Sequence, residues 1–171
     1  MMKVIIASDL HGSEYYCKKL IDAFEREKAD KILFLGDILY HGPRNDLPKD
    51  YNPKSVIELL NNIKDKILCV RGNCDTEVDQ MVLSFPVMAD YTVLCIDNTV
   101  IYASHGHKYN PDNLPPMNEG EVFVSGHTHV PIDRMVNGIR CLNPGSLAIP
   151  KENSEHRYIL FEKGIFTFKT L

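Results

Sequence analysis

Lys3-Val4-Ile5-Ile6-Ala7-Ser8-Asp9-Leu10-His11-Gly12 sets the reading of the whole chain. A short run of β-branched and apolar residues stops abruptly on a carboxylate, an imidazole and a glycine. Such a run reads as a buried strand. The same event recurs along the sequence. Ile32-Leu33-Phe34-Leu35-Gly36 stops on Asp37, and Ile67-Leu68-Cys69-Val70 stops before Gly72-Asn73. Val100-Ile101-Tyr102-Ala103 runs into His105, and Val122-Phe123-Val124 into His127 and His129. In an open α/β protein, ligands bind beyond the carboxyl ends of the strands. The pattern therefore gathers acids, imidazoles and an amide along one edge of one fold. That donor mixture suits divalent cations.

Between these runs lie helical signals. Leu20, Ile21 and Phe24 share a face in a helix expected over 14–28, with Ser13 as its N-cap. A shorter helix is expected over 55–63. With strands over 2–8, 31–36 and 66–71, this alternation implies parallel pairing with right-handed crossovers. The stretch from Tyr40 to Pro53 is polar and turn-rich, and connections of that length are often functional. After it, hairpin signals replace helical ones. Asp97-Asn98, Asn137-Gly138 and Lys163-Gly164 each separate two apolar runs. The second half reads as mostly antiparallel. The expected fold is α/β in the broad α+β sense, with two packed mixed β-sheets flanked by helices. Residues 1–171 form a single domain on this reading. Pro86–Met88 suits either an interface between copies or the core.

Composition narrows the function. The chain has 171 residues, 44% apolar and 25% charged, ordinary for one globular domain. No run approaches the roughly 20 apolar residues that cross a bilayer, so no membrane association is expected. A net charge of -4 argues against general nucleic-acid binding, which needs a basic surface. Small phosphorylated substrates stay compatible. Five cysteines show no C-x-x-C spacing. Cys69, Cys95 and Cys141 lie in apolar runs and read as small core residues, which points to a reducing, cytoplasmic setting.

Asp9-x-His11, His105-Gly106-His107 and His127-x-His129 place ligand types at i and i+2, on one side if each strand continues. Asp9, His11, Asp37, Asn73, His105, His127 and His129 are too many ligands for one ion with open positions. They suit two divalent ions sharing a carboxylate, with manganese, iron, zinc or nickel all compatible. Two ions about 4 Å apart can activate a water and clamp both oxygens of a phosphoryl displacement.

The order Asp9-x-His11, Gly36-Asp37, Gly72-Asn73, His105-Gly106 and Gly126-His127-x-His129 resembles the calcineurin-like metallophosphoesterase superfamily. Within it, Val70-Arg71-Gly72-Asn73-Cys74-Asp75, Glu77-Val78-Asp79-Gln80-Met81 and Asn143-Pro144-Gly145-Ser146 resemble the small YfcE-type phosphodiesterases. The resemblance implies a four-layer sandwich of two sheets and flanking helices. It implies one ion on Asp9, His11 and His129, another on Asn73, His105 and His127, and Asp37 as the bridge. It implies manganese first among the ions. It also implies a phosphodiesterase in which a hydroxide activated by the metal pair attacks phosphorus in line.

Asp37 and Asn73 are thus catalytic candidates, and Cys74 is a weaker one. Many superfamily members carry His after the Asn. A thiol is mostly protonated at neutral pH but donates poorly, so Cys74 is expected mainly to fill space. The enzyme is then expected to favour good leaving groups. Arg44, Asn45 and His107 are the candidate substrate contacts, His41 is expected to orient a ligand, and His156 is expected at the surface. Two alternatives stand beside the diesterase: a phosphomonoesterase on the same site, and a catalytically silent protein-binding module. A homo-oligomer is compatible with either.

Overall fold

The computed structural model describes residues 2–171. Val4–Ala7 forms β1, Glu14–Glu27 α1, Lys31–Phe34 β2, Pro53–Asn61 α2, Ile67–Cys69 β3 and Glu77–Val82 α3. Tyr91–Ile96 forms β4, Thr99–Ser104 β5, Val122–Val124 β6, Ile132–Val136 β7, Ile139–Asn143 β8, Arg157–Glu162 β9 and Ile165–Thr170 β10. One sheet has the order β10-β9-β1-β2-β3 and the other β4-β5-β6-β8-β7.

Ser13 caps α1 as expected, its Oγ accepting from the Tyr16 N–H. The helix ends at Lys28, which is left-handed and returns its N–H to the Glu25 carbonyl. Asn52 caps α2, and Pro53 occupies its first turn, where a missing N–H costs nothing. α3 has no counterpart among the expected helices. One and a half turns are too short for a periodic signal, though its Thr76/Asp79 capping box is legible in sequence.

Alternation along each strand divides the core. Ile5, Ala7, Ile32, Phe34, Tyr158 and Leu160 face α1 and α2. Val4, Ile6, Leu33, Ile159 and Phe161 face Ile101, Ala103, Val122, Val124 and Leu142 of the second sheet. Each such buried side chain contributes about 1.5–3 kcal/mol. On the far side of the second sheet, Phe123, Ile139 and Cys141 are covered by Tyr109, Leu114 and Met117. A loop thus supplies the outer layer there. Val87 is core, Met88 packs on it, and Pro86 is exposed.

All three expected hairpins form, turning on left-handed Asp97-Asn98, Asn137-Gly138 and Lys163-Gly164. The second sheet is nevertheless not mostly antiparallel. Its centre, β5-β6-β8, is parallel, and the hairpins β4-β5 and β7-β8 lie at its two ends. Turn chemistry reports local pairing and is silent on strands brought together from a distance. Two further expectations are corrected. Cys95 points outward from β4 and is exposed. His156 is partly buried, bonded to the Tyr16 hydroxyl at 2.8 Å and the Leu147 carbonyl at 2.7 Å.

The consequence for function is positional. β1, β2 and β3 run parallel, as do β5, β6 and β8. All seven candidate ligands follow the carboxyl ends of β1, β2, β3, β5 and β6.

Candidate metal centre

Spacing of i and i+2 does not put these ligands on one side by strand alternation: His129 faces His11, whereas His127 faces His105. The strands stop before the ligands. Asp9, His11, Asp37, His127 and His129 all have left-handed backbones, with φ between 49° and 69°. For a non-glycine residue that conformation costs about 1–2 kcal/mol each. Such strain concentrates where the surroundings over-determine a functional geometry.

The imidazoles are aimed by backbone carbonyls. His11 Nδ1 lies 2.7 Å from the Tyr40 oxygen, His105 Nδ1 2.6 Å from Leu35 and His129 Nδ1 2.7 Å from Ile149. A carbonyl only accepts, so each Nδ1 carries the proton and each Nε2 turns inward. His11 Nε2 then faces His129 Nε2 at 3.2 Å, with Asp9 Oδ1 3.2 Å from His129 and 3.6 Å from His11. On the other side, His105 Nε2 lies 3.0 Å from Asn73 Oδ1 and 3.3 Å from His127 Nδ1. Asp37 joins the halves. Its Oδ2 is 3.4 Å from His105 Nε2 and 3.7 Å from His11 Nε2, while its Oδ1 accepts the Cys74 N–H at 2.8 Å. Ligand atoms of Asp9, His11 and His129 lie within 4.8 Å of one another, as do those of Asp9, Asp37 and His105.

This donor set fits cations. Ligands about 2.1 Å from an ion stand roughly 3.0–3.4 Å apart. Asp9 Oδ1 is buried without a hydrogen-bond donor. An imidazole held by a carbonyl on its far nitrogen is the usual arrangement of a metal-binding His.

The electrostatics follow from the crowding. Burial pushes the Asp9 carboxyl up, but the neighbouring His11 and His129 imidazoles outweigh it and hold it well below the usual range. Asp37 is likewise lowered, with burial opposed mainly by His105. Burial depresses His105, yet Asp37 and Asp9 together carry it up to about 9. His127 is lowered, by burial and then by His105. Burial and the Asp37 charge push the Cys74 thiol up to about 12. The thiol therefore keeps its proton at neutral pH and is a weak acid.

Several residues that hold the site were not assigned from sequence. Asp75 is buried, and its carboxylate accepts from the backbone N–H groups of Asp37 and Gly72 at 2.7 Å and Ile38 at 3.0 Å. It staples the Asp37 turn to the Asn73 turn. Burial pushes its carboxyl up, against those three donors. Asn143 donates to the Gly126 carbonyl at 2.7 Å, and Ser146 Oγ to the Asp9 carbonyl at 2.7 Å. Two glycines are required by contact. A Cβ at Gly72 would overlap Asp37 Oδ1, and one at Gly126 would overlap Ser8 Oγ. Asp75 and Asn143 lie in the Val70–Asp75 and Asn143–Ser146 stretches that resemble the small phosphodiesterases. Nothing in spacing alone marks them.

A cavity of about 440 Å³ opens over the ligands, with Arg44, Asn45, Cys74, Thr128 and Lys151 in its wall. Arg44 and Asn45 therefore lie where a substrate contact was expected. His107 does not: it packs against His105 and His127, at ring-centroid distances of 5.4 and 6.2 Å, outside that wall. His41 stacks edge-on against Tyr40 and Tyr51, and it is the Tyr40 carbonyl that orients His11.

Two packed mixed sheets with an aspartate- and histidine-rich edge define the class. Residues 2–163 match the calcineurin-like phosphoesterase superfamily domain, and the chain belongs to that superfamily. It is 41% identical over 167 residues to Phosphodiesterase YfcE of Escherichia coli strain K12, covering 98% of this chain and 91% of that protein. The solved structure of the E. coli phosphoesterase YfcE superposes with a TM-score of 0.92 at 42% identity, over 94% of this chain and 88% of that one. Vacuolar Protein Sorting 29 from Cryptosporidium parvum shares the fold, with a TM-score of 0.63 at 20% identity over 98% and 95% of the two chains.

Proposed function

We propose that the protein is a metal-dependent phosphodiesterase acting on small phosphate esters, with two divalent ions held by its seven ligands. Asp9, His11 and His129 would hold one ion, Asn73, His105 and His127 the other, and Asp37 both. The observation that carries this is the double role of Asp37, whose Oδ2 faces His105 on one side and His11 on the other. When bound, such ions supply an activated water and positive charge against the phosphoryl oxygens. Manganese is the first choice, and zinc, iron and nickel suit the same donors. Identity to a curated phosphodiesterase over nearly the full length supports the diester reading.

The chain's own residues do the positioning. The left-handed turns present the ligands, and the Cys74 N–H fixes the rotation of the Asp37 carboxylate through Oδ1. Arg44 and Asn45 stand in the wall where nonbridging oxygens or an ester arm would lie. Asn45 also ties its loop, donating to the His41 carbonyl at 2.8 Å. No helix among the described residues is long and apolar enough to cross a membrane. Free cysteines suit a reducing cytoplasm.

The direct test is hydrolysis of mono- and bis-nitrophenyl phosphate by purified protein after chelation and reloading with each metal. Metal-dependent turnover favouring the diester is expected. Preference for the monoester would favour the phosphomonoesterase, and metal binding without turnover would favour a binding module.

Leaving-group preference gives a second expectation. Burial pushes the Cys74 thiol up to about 12, far from the working pH, which makes it a weak general acid toward a leaving oxygen. Cys74→His supplies an imidazole at that position. It should raise kcat/KM for alkyl esters about tenfold or more, and for nitrophenyl esters far less. Equal gains on both would show that protonation of the leaving oxygen is not what Cys74 limits.

A further inference from the structure

Two cations in the cavity wall stand apart from the ligand cluster. Arg44 comes from the loop after β2, beside Gly42, Asn45 and Cys74. Lys151 comes from the segment after β8. The Lys151 backbone is held at both ends: its N–H donates to the His129 carbonyl at 3.1 Å, and its carbonyl accepts from Ser154 N at 3.0 Å and Ser154 Oγ at 2.6 Å. The position of its stem is thus tied to a candidate metal ligand. Its ammonium has no carboxylate partner among the described residues, and neither has the Arg44 guanidinium. Nine of the other 17 lysines and arginines do have one, including Arg71 and Lys108 near the same end of the sheets; what sets Arg44 and Lys151 apart is their shared place in the cavity wall.

We infer that Arg44 and Lys151 form an anion subsite, and that the preferred substrate is a phosphodiester bearing a second negative group, a phosphate or carboxylate, on an ester arm. This rests on the phosphodiesterase reading and narrows its substrate class. On the phosphodiesterase reading the scissile phosphate needs neither cation, because ions held by the ligand cluster would supply its positive charge. A cavity of about 440 Å³ has room for more than a single phosphoryl group. An arm carrying charge would place it against a fork of donors on one segment and an ammonium on another. A neutral arm would leave two unpaired cations beside an apolar chain. The overall charge of -4 makes a local pair of free cations in this wall more selective, since the rest of the surface does not attract anions generally.

The experiment uses two symmetric probes, bis(3-sulfopropyl) phosphate and bis(3-hydroxypropyl) phosphate. Sulfonate is a poor metal ligand, so the charged ends report on side chains and not on the ions. Each is measured as an inhibitor of bis-nitrophenyl phosphate hydrolysis by the manganese-loaded protein, and separately by titration calorimetry. The sulfonate-armed probe should bind at least tenfold more tightly, and the advantage should shrink as salt rises. Lys151→Gln and Arg44→Gln should each lower it, and the double variant should reduce it to within twofold. Equal binding of the two probes, or a preference that survives in the double variant, would overturn the inference. Absence of bis-nitrophenyl phosphate turnover would instead remove the diesterase reading, and the calorimetric ratio would still decide the subsite. Both side chains are exposed, so the variants are expected to fold.

Discussion

Asp37→Ala should lower kcat/KM for phosphodiesters by about 10³-fold or more, near 4 kcal/mol of transition-state stabilisation, and should also reduce bound metal. The reason is geometric. The Asp37 carboxylate lies between the two halves of the cluster, with His105 at 3.4 Å and His11 at 3.7 Å. Removing it takes negative charge from both halves. It also leaves the Cys74 N–H without its acceptor. Asp37→Asn is the sharper variant. It keeps the shape and one acceptor oxygen but removes the charge, so folding should change little while metal content falls. Elemental analysis of dialysed protein, beside steady-state rates, reads both effects. Near-normal turnover and full metal content in Asp37→Asn would mean that the carboxylate is not shared.

Asp75→Ala should destabilise the fold by about 4 kcal/mol, although Asp75 faces neither ion in the proposed site. Its carboxylate is the acceptor for three N–H groups, those of Asp37, Ile38 and Gly72. Alanine would strand these donors in a buried environment. Hydrogen bonds to a charged acceptor contribute about 1.5–3 kcal/mol each, and unsatisfied donors add their own desolvation. Part of the loss is offset because burial already disfavours the ionised carboxyl. The turns carrying Asp37 and Asn73 would separate, so activity should fall with stability. Asp75→Asn retains one acceptor oxygen and should show a smaller loss of stability than alanine. Urea unfolding gives the comparison. A change below about 1 kcal/mol for alanine would show that the two turns are held by something else.

The extent to which this molecule was legible in its sequence follows from the range of each signal. Strand cores such as Ile32–Phe34 carry a local composition signal, and Asp97-Asn98, Asn137-Gly138 and Lys163-Gly164 carry a local turn signal. Both kinds of expectation agree with the structure in position. The parallel centre β5-β6-β8 has no local signal, because it joins segments linked by a helix-free connection from His105 to Glu121 and by the β7 strand. Cys95 was misplaced because an apolar run on an edge strand alternates: Leu94 and Ile96 face the core, and Cys95 faces out. At the site, ligand types at strand ends were readable, since they are polar residues where polarity is otherwise absent. Their convergence through left-handed turns was not, because Asp and His are enriched at positive φ but adopt it in only a small share of cases. Supporting groups were harder still. The Tyr40, Leu35 and Ile149 carbonyls that aim three imidazoles belong to the backbone and leave no trace in residue identity.

The measurement that bears most closely on a pair of ions sharing one carboxylate is anomalous diffraction from crystals grown with manganese. Two peaks about 4 Å apart are expected, one contacting Asp9, His11 and His129, the other Asn73, His105 and His127, with Asp37 touching both. A single peak at full manganese occupancy, or two peaks with Asp37 touching neither or only one, would contradict it.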